Sequence, residues 1–271
     1  MYSIETYRQT VMQDLHKMKT FQSAWKIWEP KIESLTSGMS DPQKIYELGN
    51  HLSAIFMSTT TAGRDQGTLS SAGAAWEALV CWYLNVVLSG TRGIAIKQKK
   101  KLIPACISDA ATINYGNDQT NTESDLIVLI FPEDFVFPLK GGITGLSETM
   151  STQLHLFELG VIQCKTNWND NAQIPMLWDM VYRAKGFKGH SVTIGRNSHS
   201  IQDMKNFSYS FVTVPTQKKA QKTTDMAVKR VRNLSGGNYW GMQTQSGVAL
   251  SASEIFSREP PRYCRRLFGL S

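Results

Sequence analysis

This 271-residue chain lacks long apolar runs, clustered metal ligands and nucleotide-binding signatures, and each absence removes a class of function. Its longest apolar stretch, residues 76–88, is broken by Glu77 and Asn85 and falls short of the roughly 20 residues a membrane-crossing helix requires. No membrane association is expected. The opening Met1-Tyr2-Ser3-Ile4-Glu5-Thr6 is polar and acidic where a secretory leader carries positive charge and an apolar core, so a cytoplasmic setting is expected. Cysteine is scarce: Cys81, Cys106, Cys164 and Cys264 are scattered without a CxxC pair and read as small core residues in a reducing compartment. His16, His51, His155, His190 and His199 form no HxH or HxxxH pair and have no cysteine at zinc-like spacing. GxSxG and Walker patterns are absent as well, which removes the enzyme classes built on them.

Basic residues outnumber acidic ones, 29 to 22, for a net charge of +7. That balance favours a polyanionic partner. Much of the charge falls late in the chain. Lys218, Lys219 and Lys222 form one group, Arg230 and Arg232 with Lys229 a second, and Arg258, Arg262, Arg265 and Arg266 a basic tail. Such groups neutralise phosphates. Asn238 lies between them in a Gly-Gly-Asn-Tyr-Trp-Gly run that could approach a duplex or simply form a turn. No helix-turn-helix or zinc finger is evident.

Apolar periodicity divides the chain in two. Tyr7, Val11, Leu15 and Met18, then Ile45, Leu48, Leu52 and Ile55, recur at helical spacing, with Asp41-Pro42 as a start signal for the second set. Residues 1–70 are therefore read as a helical N-terminal subdomain and 71–271 as a core with a basic C-terminal region. Residues 71–84 read as a buried helix in which Glu77 is the one charge. Beyond it, strands are expected at 93–96, 101–107, 122–130, 159–165, 191–194 and 209–214, with a helix at 174–182 that Pro175 can begin. The cluster Lys97-Gln98-Lys99-Lys100-Lys101 reads as a solvated turn or a phosphate contact. Prolines and glycines between 132 and 145 mark an excursion between two strands. Strands interleaved with helices predict an α/β fold, a mixed central β-sheet flanked by helices.

Two of those strands carry the chemistry. Side chains alternate faces along a strand, so Gln163 and Lys165 project together while Cys164 points the other way. If the strand behind Asp125 pairs beside this one, Asp125 joins them in a polar pocket at the sheet's edge. Polar strand ends also occur in chains with no active site. Asn167, Asn169, Asp170, Asn171 and Gln173 follow the lysine; they are either ordinary turn and capping residues or groups that pair with base edges.

These residues resemble the PD-(D/E)xK nuclease superfamily, to which most Type II restriction endonucleases belong. Ser124-Asp125 stands for the PD and Gln163-Cys164-Lys165 for the (D/E)xK, over about residues 73–214. Serine replaces the proline and glutamine the second acid, a QxK variant that Mrr-like nucleases also carry. The resemblance implies a restriction-endonuclease-like core and Mg²⁺ bound by Asp125, the Gln163 side chain and the Cys164 backbone carbonyl. It implies an auxiliary acid on the preceding helix, which Glu77 matches, with Glu123 and Glu158 as competitors. Lys165 would orient the attacking water. The activity implied is sequence-specific cleavage of double-stranded DNA by a homodimer, leaving 5′-phosphate and 3′-hydroxyl ends. A repair or Mrr-like nuclease, and a basic DNA-binding protein without catalysis, are the alternatives.

Overall fold

The computed structural model describes residues 3–61, 69–97, 99, 101–120, 124–166, 192–214, 222, 224–234 and 239–240, without side chains at 41–43, 46, 60–61, 69–71, 234 and 239–240. Four helices come first: α1 (Ile4–His16), α2 (Lys19–Thr36), α3 (Asp41–Thr61) and α4 (Leu69–Val87). The described chain continues through β1 (Gly93–Lys97), α5 (Ala105–Ala110), β2 (Ile113–Tyr115), β3 (Asp118–Thr120), β4 (Leu126–Ile130) and α6 (Gly142–Ser151). It then forms β5 (Glu158–Lys165), β6 (Val192–Ile194), β7 (Asn206–Thr213), α7 (Met226–Leu234) and β8 (Tyr239–Trp240). Among the described residues no helix is long and apolar enough to cross a membrane.

The helices form where the periodicity places them. Ser3 caps α1 by accepting the Thr6 N–H at 3.1 Å, and Glu5 and His16 sit at the ends that the helix dipole favours. Tyr7, Val11 and Leu15, four residues apart, share its buried face. Phe21, Ala24 and Trp28 do the same for α2, and Leu48, Leu52 and Ile55 for α3. These side chains join those of α4 and the sheet in one continuous buried cluster.

The main sheet has the order β1-β4-β5-β7-β8. β4 runs antiparallel to both β1 and β5, whereas β7 is parallel to β5 and β8 parallel to β7. The fold is thus mixed α/β with a mixed sheet, as the interleaved pattern predicts. All five residues of β4 are buried, which is why its sequence, Leu-Ile-Val-Leu-Ile, is apolar without alternation.

β1 forms one edge of this sheet, and the helices cover it. Arg8 donates to the Gly93 carbonyl at 2.5 Å. The Asn85 amide brackets Ala95, donating to its carbonyl at 2.7 Å and accepting its N–H at 3.2 Å. An edge strand otherwise presents unpaired amides that invite another chain. Here side chains of α1 and α4 satisfy them.

Four strand expectations change. Residues 101–107 do not form a strand: Leu102 and Ile103 lie in a turn, and Pro104 opens α5, where Cys106, Ile107 and Ala110 turn inward at helical spacing. A short apolar run lacks a period of its own, so tertiary packing decides its form. The strand at 191–194 exists as β6 but pairs antiparallel with β2, in a separate small sheet of order β3-β2-β6. The strand expected to start at 122 begins at Leu126, and the one expected at 209 begins at Asn206. The helix expected at 174–182 lies outside the described residues.

Candidate active site

Antiparallel pairing brings distant residues to one end of the sheet. Lys97, the last residue of β1, stands opposite Leu126, the first of β4, and Leu126 stands opposite Ile162 in β5. Asp125 and the stretch Gln163-Cys164-Lys165 therefore extend past the same end. The β4 ladder stops at Leu126, and the Asp125 side chain continues it: the Cys164 N–H donates to Asp125 Oδ2 at 2.7 Å. The Lys165 ammonium lies 3.6 Å from the same oxygen, with both side chains more than four-fifths buried. On the other side of Lys165, its carbonyl accepts the Val214 N–H at 3.0 Å, holding the lysine in extended backbone. The expected meeting of Asp125 and Lys165 is present.

Two polar anchors lay α4 across the sheet and deliver the auxiliary acid. The Trp76 indole donates to the Val212 carbonyl of β7 at 3.3 Å, and Asn85, nine residues on, is fastened to Ala95 of β1. Glu77, next to Trp76, is thereby carried to the site, where its carboxylate receives the Lys97 ammonium. Burial pushes the Glu77 carboxyl above its usual range; Lys97 opposes the rise, Asp125 adds to it and Lys165 opposes it. Glu77 thus shares one electrostatic environment with Asp125 and Lys165. Burial and the same two carboxylates raise the Cys164 thiol well above its ordinary value, so it is a neutral core group.

Gln163 departs from the expected pocket in two respects: it projects from the face opposite Lys97 and Glu77, and its amide is already engaged. It is buried, and its Oε1 accepts a hydrogen bond from the Tyr209 hydroxyl. Tyr209 stands opposite Val161 in the parallel register, on the face that Gln163 shares. That bond occupies one of the two lone pairs of the amide oxygen. Thr213, opposite Lys165, is fully buried, and its hydroxyl has no hydrogen-bond partner among the described residues.

The competing acids separate cleanly. Glu158 begins the eight-residue β5 and faces Lys205 at 3.4 Å, roughly 23 Å from Lys165 at strand rise. It cannot serve this site. Glu123 lies outside the described residues, as do Asn167, Asn169, Asp170, Asn171, Gln173, Lys218, Lys219 and Asn238. Lys222 is exposed, and its N–H caps onto Asp225 at 2.8 Å. Arg230 and Arg232 lie on α7, which buries Val228 and Val231 and leaves Arg232 and Lys229 in solvent.

Sequence reasoning missed Lys97 and Tyr209 as members of the site. Lys97 was expected in a solvated basic turn. Instead it ends a buried strand, while Lys99 and Lys101 pair with Asp14 of α1 at 2.6 and 3.0 Å. The available signal was its position two residues after buried Ala95, on the face that α4 covers.

The donor set suits a hard cation. Asp125 and Glu77 supply carboxylates and Cys164 a backbone carbonyl, whereas the Gln163 amide projects from the face opposite Lys97 and α4, because Lys97, Leu126 and Ile162 are in register and Gln163 is one residue further along. In a strand a residue's N–H and C=O point towards the same neighbour, so the Cys164 carbonyl leaves β5 on the side of Asp125. These three are oxygen ligands of the kind Mg²⁺ takes. Among the described residues no three His, Cys, Asp or Glu side chains converge, so a cation here relies on two carboxylates with neutral oxygens. The upward push that Asp125 exerts on Glu77 is the repulsion such an ion relieves. Comparison with known protein families gives no match, and comparison with curated proteins gives none either.

Proposed function

We propose that this protein is a Mg²⁺-dependent endodeoxyribonuclease of the PD-(D/E)xK kind, a Type II restriction endonuclease that cuts double-stranded DNA at a short sequence. The observation that carries the reading is the Asp125 carboxylate held between the Cys164 N–H and the Lys165 ammonium, where β4 and β5 end together. The succession of α4, the antiparallel strands β1, β4 and β5, and the parallel strand β7 supports it, since the resemblance implies a core of that order.

Phosphodiester hydrolysis builds negative charge on the non-bridging oxygens and on the leaving alkoxide, and it needs a water aligned opposite that leaving group. When bound, Mg²⁺ supplies positive charge to those oxygens and lowers the pKa of water. Asp125, Glu77 and the Cys164 carbonyl would hold it, with Gln163 on the far face bound to Tyr209. Lys165, anchored beside Asp125, orients the attacking water and offsets charge at the phosphate. Products carry 5′-phosphate and 3′-hydroxyl ends. Cutting both strands of a two-fold symmetric site calls for two copies of this centre, hence a homodimer. The basic face of α7, with Lys222, Arg230 and Arg232, meets the phosphate backbone.

Incubating the purified chain with plasmid and Mg²⁺, and sequencing the ends, tests this directly. Discrete bands are expected. Asp125→Ala and Lys165→Ala should each lower cleavage by about 10²–10⁴-fold, while gel-shift binding in Ca²⁺ persists and weakens steeply with salt. A Lys165→Ala variant that still cuts at the wild-type rate overturns the assigned mechanism, whereas a wild-type chain that binds DNA and never cuts it favours a basic DNA-binding protein without catalysis. Glutamine at position 163, in place of the usual acid, favours a repair or Mrr-like nuclease as the second reading. In that case the digest depends on damage, modification or DNA structure instead of giving fixed bands.

A further inference from the structure

Lys97 has no role in the reaction outlined above, yet it is the direct partner of the auxiliary acid. Its place is fixed by the backbone. It ends β1 opposite Leu126, and it leaves the sheet on the face covered by α4. There its ammonium meets the Glu77 carboxylate, with side chains only 21% and 22% exposed. A carboxylate this withdrawn from water requires a positive partner. Lys97 is that partner while no divalent ion is present, and Lys165 is committed to Asp125.

Resting on the nuclease reading, we propose that Lys97 is the resident counter-ion of Glu77 and competes with the divalent cation for it. Cation binding exchanges the Lys97–Glu77 ion pair for a contact between Glu77 and the cation, so Lys97 sets the cation concentration the site requires. The physical basis is charge. A divalent ion entering beside Asp125 and Glu77 meets two ammonium groups, and only one of them is attached to the acid that must turn towards the ion. Lys97 must yield, or remain as a repelling neighbour; both weaken the cation's hold. Lys97 is in this sense a positioning residue that acts through Glu77.

Calorimetric titration of Ca²⁺ and of Mn²⁺ into the full chain reads this without catalysis. Lys97→Met should bind either ion about 10-fold more tightly, a size typical of coupling between two bound charges. Lys97→Arg should stay within about 3-fold of the wild type. In the Glu77→Gln background the tightening caused by Lys97→Met should vanish, because no carboxylate is left to compete for. The Mg²⁺ concentration for half-maximal plasmid cleavage should fall by a matching factor in Lys97→Met. Far-UV circular dichroism and thermal melts establish that each variant is folded; should Lys97→Met fail, Lys97→Gln, which keeps a donor for Glu77, takes its place with the same expectation. Unchanged or weaker ion binding in folded Lys97→Met or Lys97→Gln overturns the competition. Equal tightening with and without Glu77 overturns it too. Wild-type protein that binds neither ion overturns the cation site itself, and this inference with it, whereas ion binding with a silent Lys97 overturns this inference alone.

Discussion

Replacing Asn85 by leucine removes the clip between α4 and the sheet, and its cost can be worked from the contacts. Asn85 is buried, and its Nδ2 donates to the Ala95 carbonyl at 2.7 Å and to the Cys81 carbonyl at 2.9 Å. Its Oδ1 accepts the Ala95 N–H at 3.2 Å. Ala95 is fully buried on an edge strand, so its outward amide groups have no strand partner to fall back on. After the substitution its N–H is orphaned, and its carbonyl keeps only the weak Cys81 thiol donor at 3.6 Å. Each buried unsatisfied group costs about 1–3 kcal/mol. Leucine recovers about 1 kcal/mol through its added apolar surface, which leaves a net loss of about 3 kcal/mol. For a chain of this size the melting temperature should fall by roughly 6–12 °C. Urea unfolding followed by tryptophan fluorescence and circular dichroism measures the loss, with an unchanged slope showing that the unfolded state is not affected. A loss below about 1 kcal/mol would mean that Ala95 reaches other partners, and the account of α4 as a helix fastened to an edge strand would be wrong.

Two further outcomes follow from buried titratable groups. Burial pushes the Asp14 carboxyl up, but hydrogen bonds from Lys99 and Lys101 outweigh it and hold the group below its ordinary 3.8. The stabilisation is therefore complete above that value and is lost as pH falls through the folded one. Asp14→Asn should cost about 1 kcal/mol at pH 7, screened because both lysines reach solvent, and the difference from wild type should shrink below pH 3.8; a difference that persists at pH 2 contradicts the ion-pair account. Cys81, Cys106 and Cys164 are buried thiols, all raised by burial, Cys81 to about 12. Iodoacetamide at pH 8 should leave all three unmodified in the native protein and label them in urea, as peptide mass mapping can check; rapid native labelling of Cys164 would mean that the end of β5 is open.

The parts of the site legible in the sequence are those set by short-range rules. Asp125 and Lys165 stood out because each borders an apolar run long enough to be a buried strand, and Glu77 because it is the one charge in an apolar helix. Strand periodicity alone put Gln163 beside Lys165. It could not supply Tyr209, which reaches Gln163 across 46 residues of sequence, or the Lys97–Glu77 pair across 20. Lys97 was misread because a lysine-rich run suggests a turn, and only the register of β1 against β4 separates its first lysine from the others. The apolar run at 101–107 was misread for a related reason: strand and helix were equally compatible with it, and Pro104 with the helical spacing of Cys106, Ile107 and Ala110 settled the matter.

Local pattern determined that this chain makes amphipathic helices first and buried strands later, because periods of about four and two residues are properties of neighbours along the backbone. Which strand lies beside which, and therefore which charges meet, was decided only in three dimensions. Lys97 and Lys165 end two strands, Asp125 immediately precedes a third and Glu77 lies on a helix, and nothing in any one segment encodes the others' distance. Sheet order and the two anchors of α4 bring them together at one end of the sheet, where burial makes their charges interact.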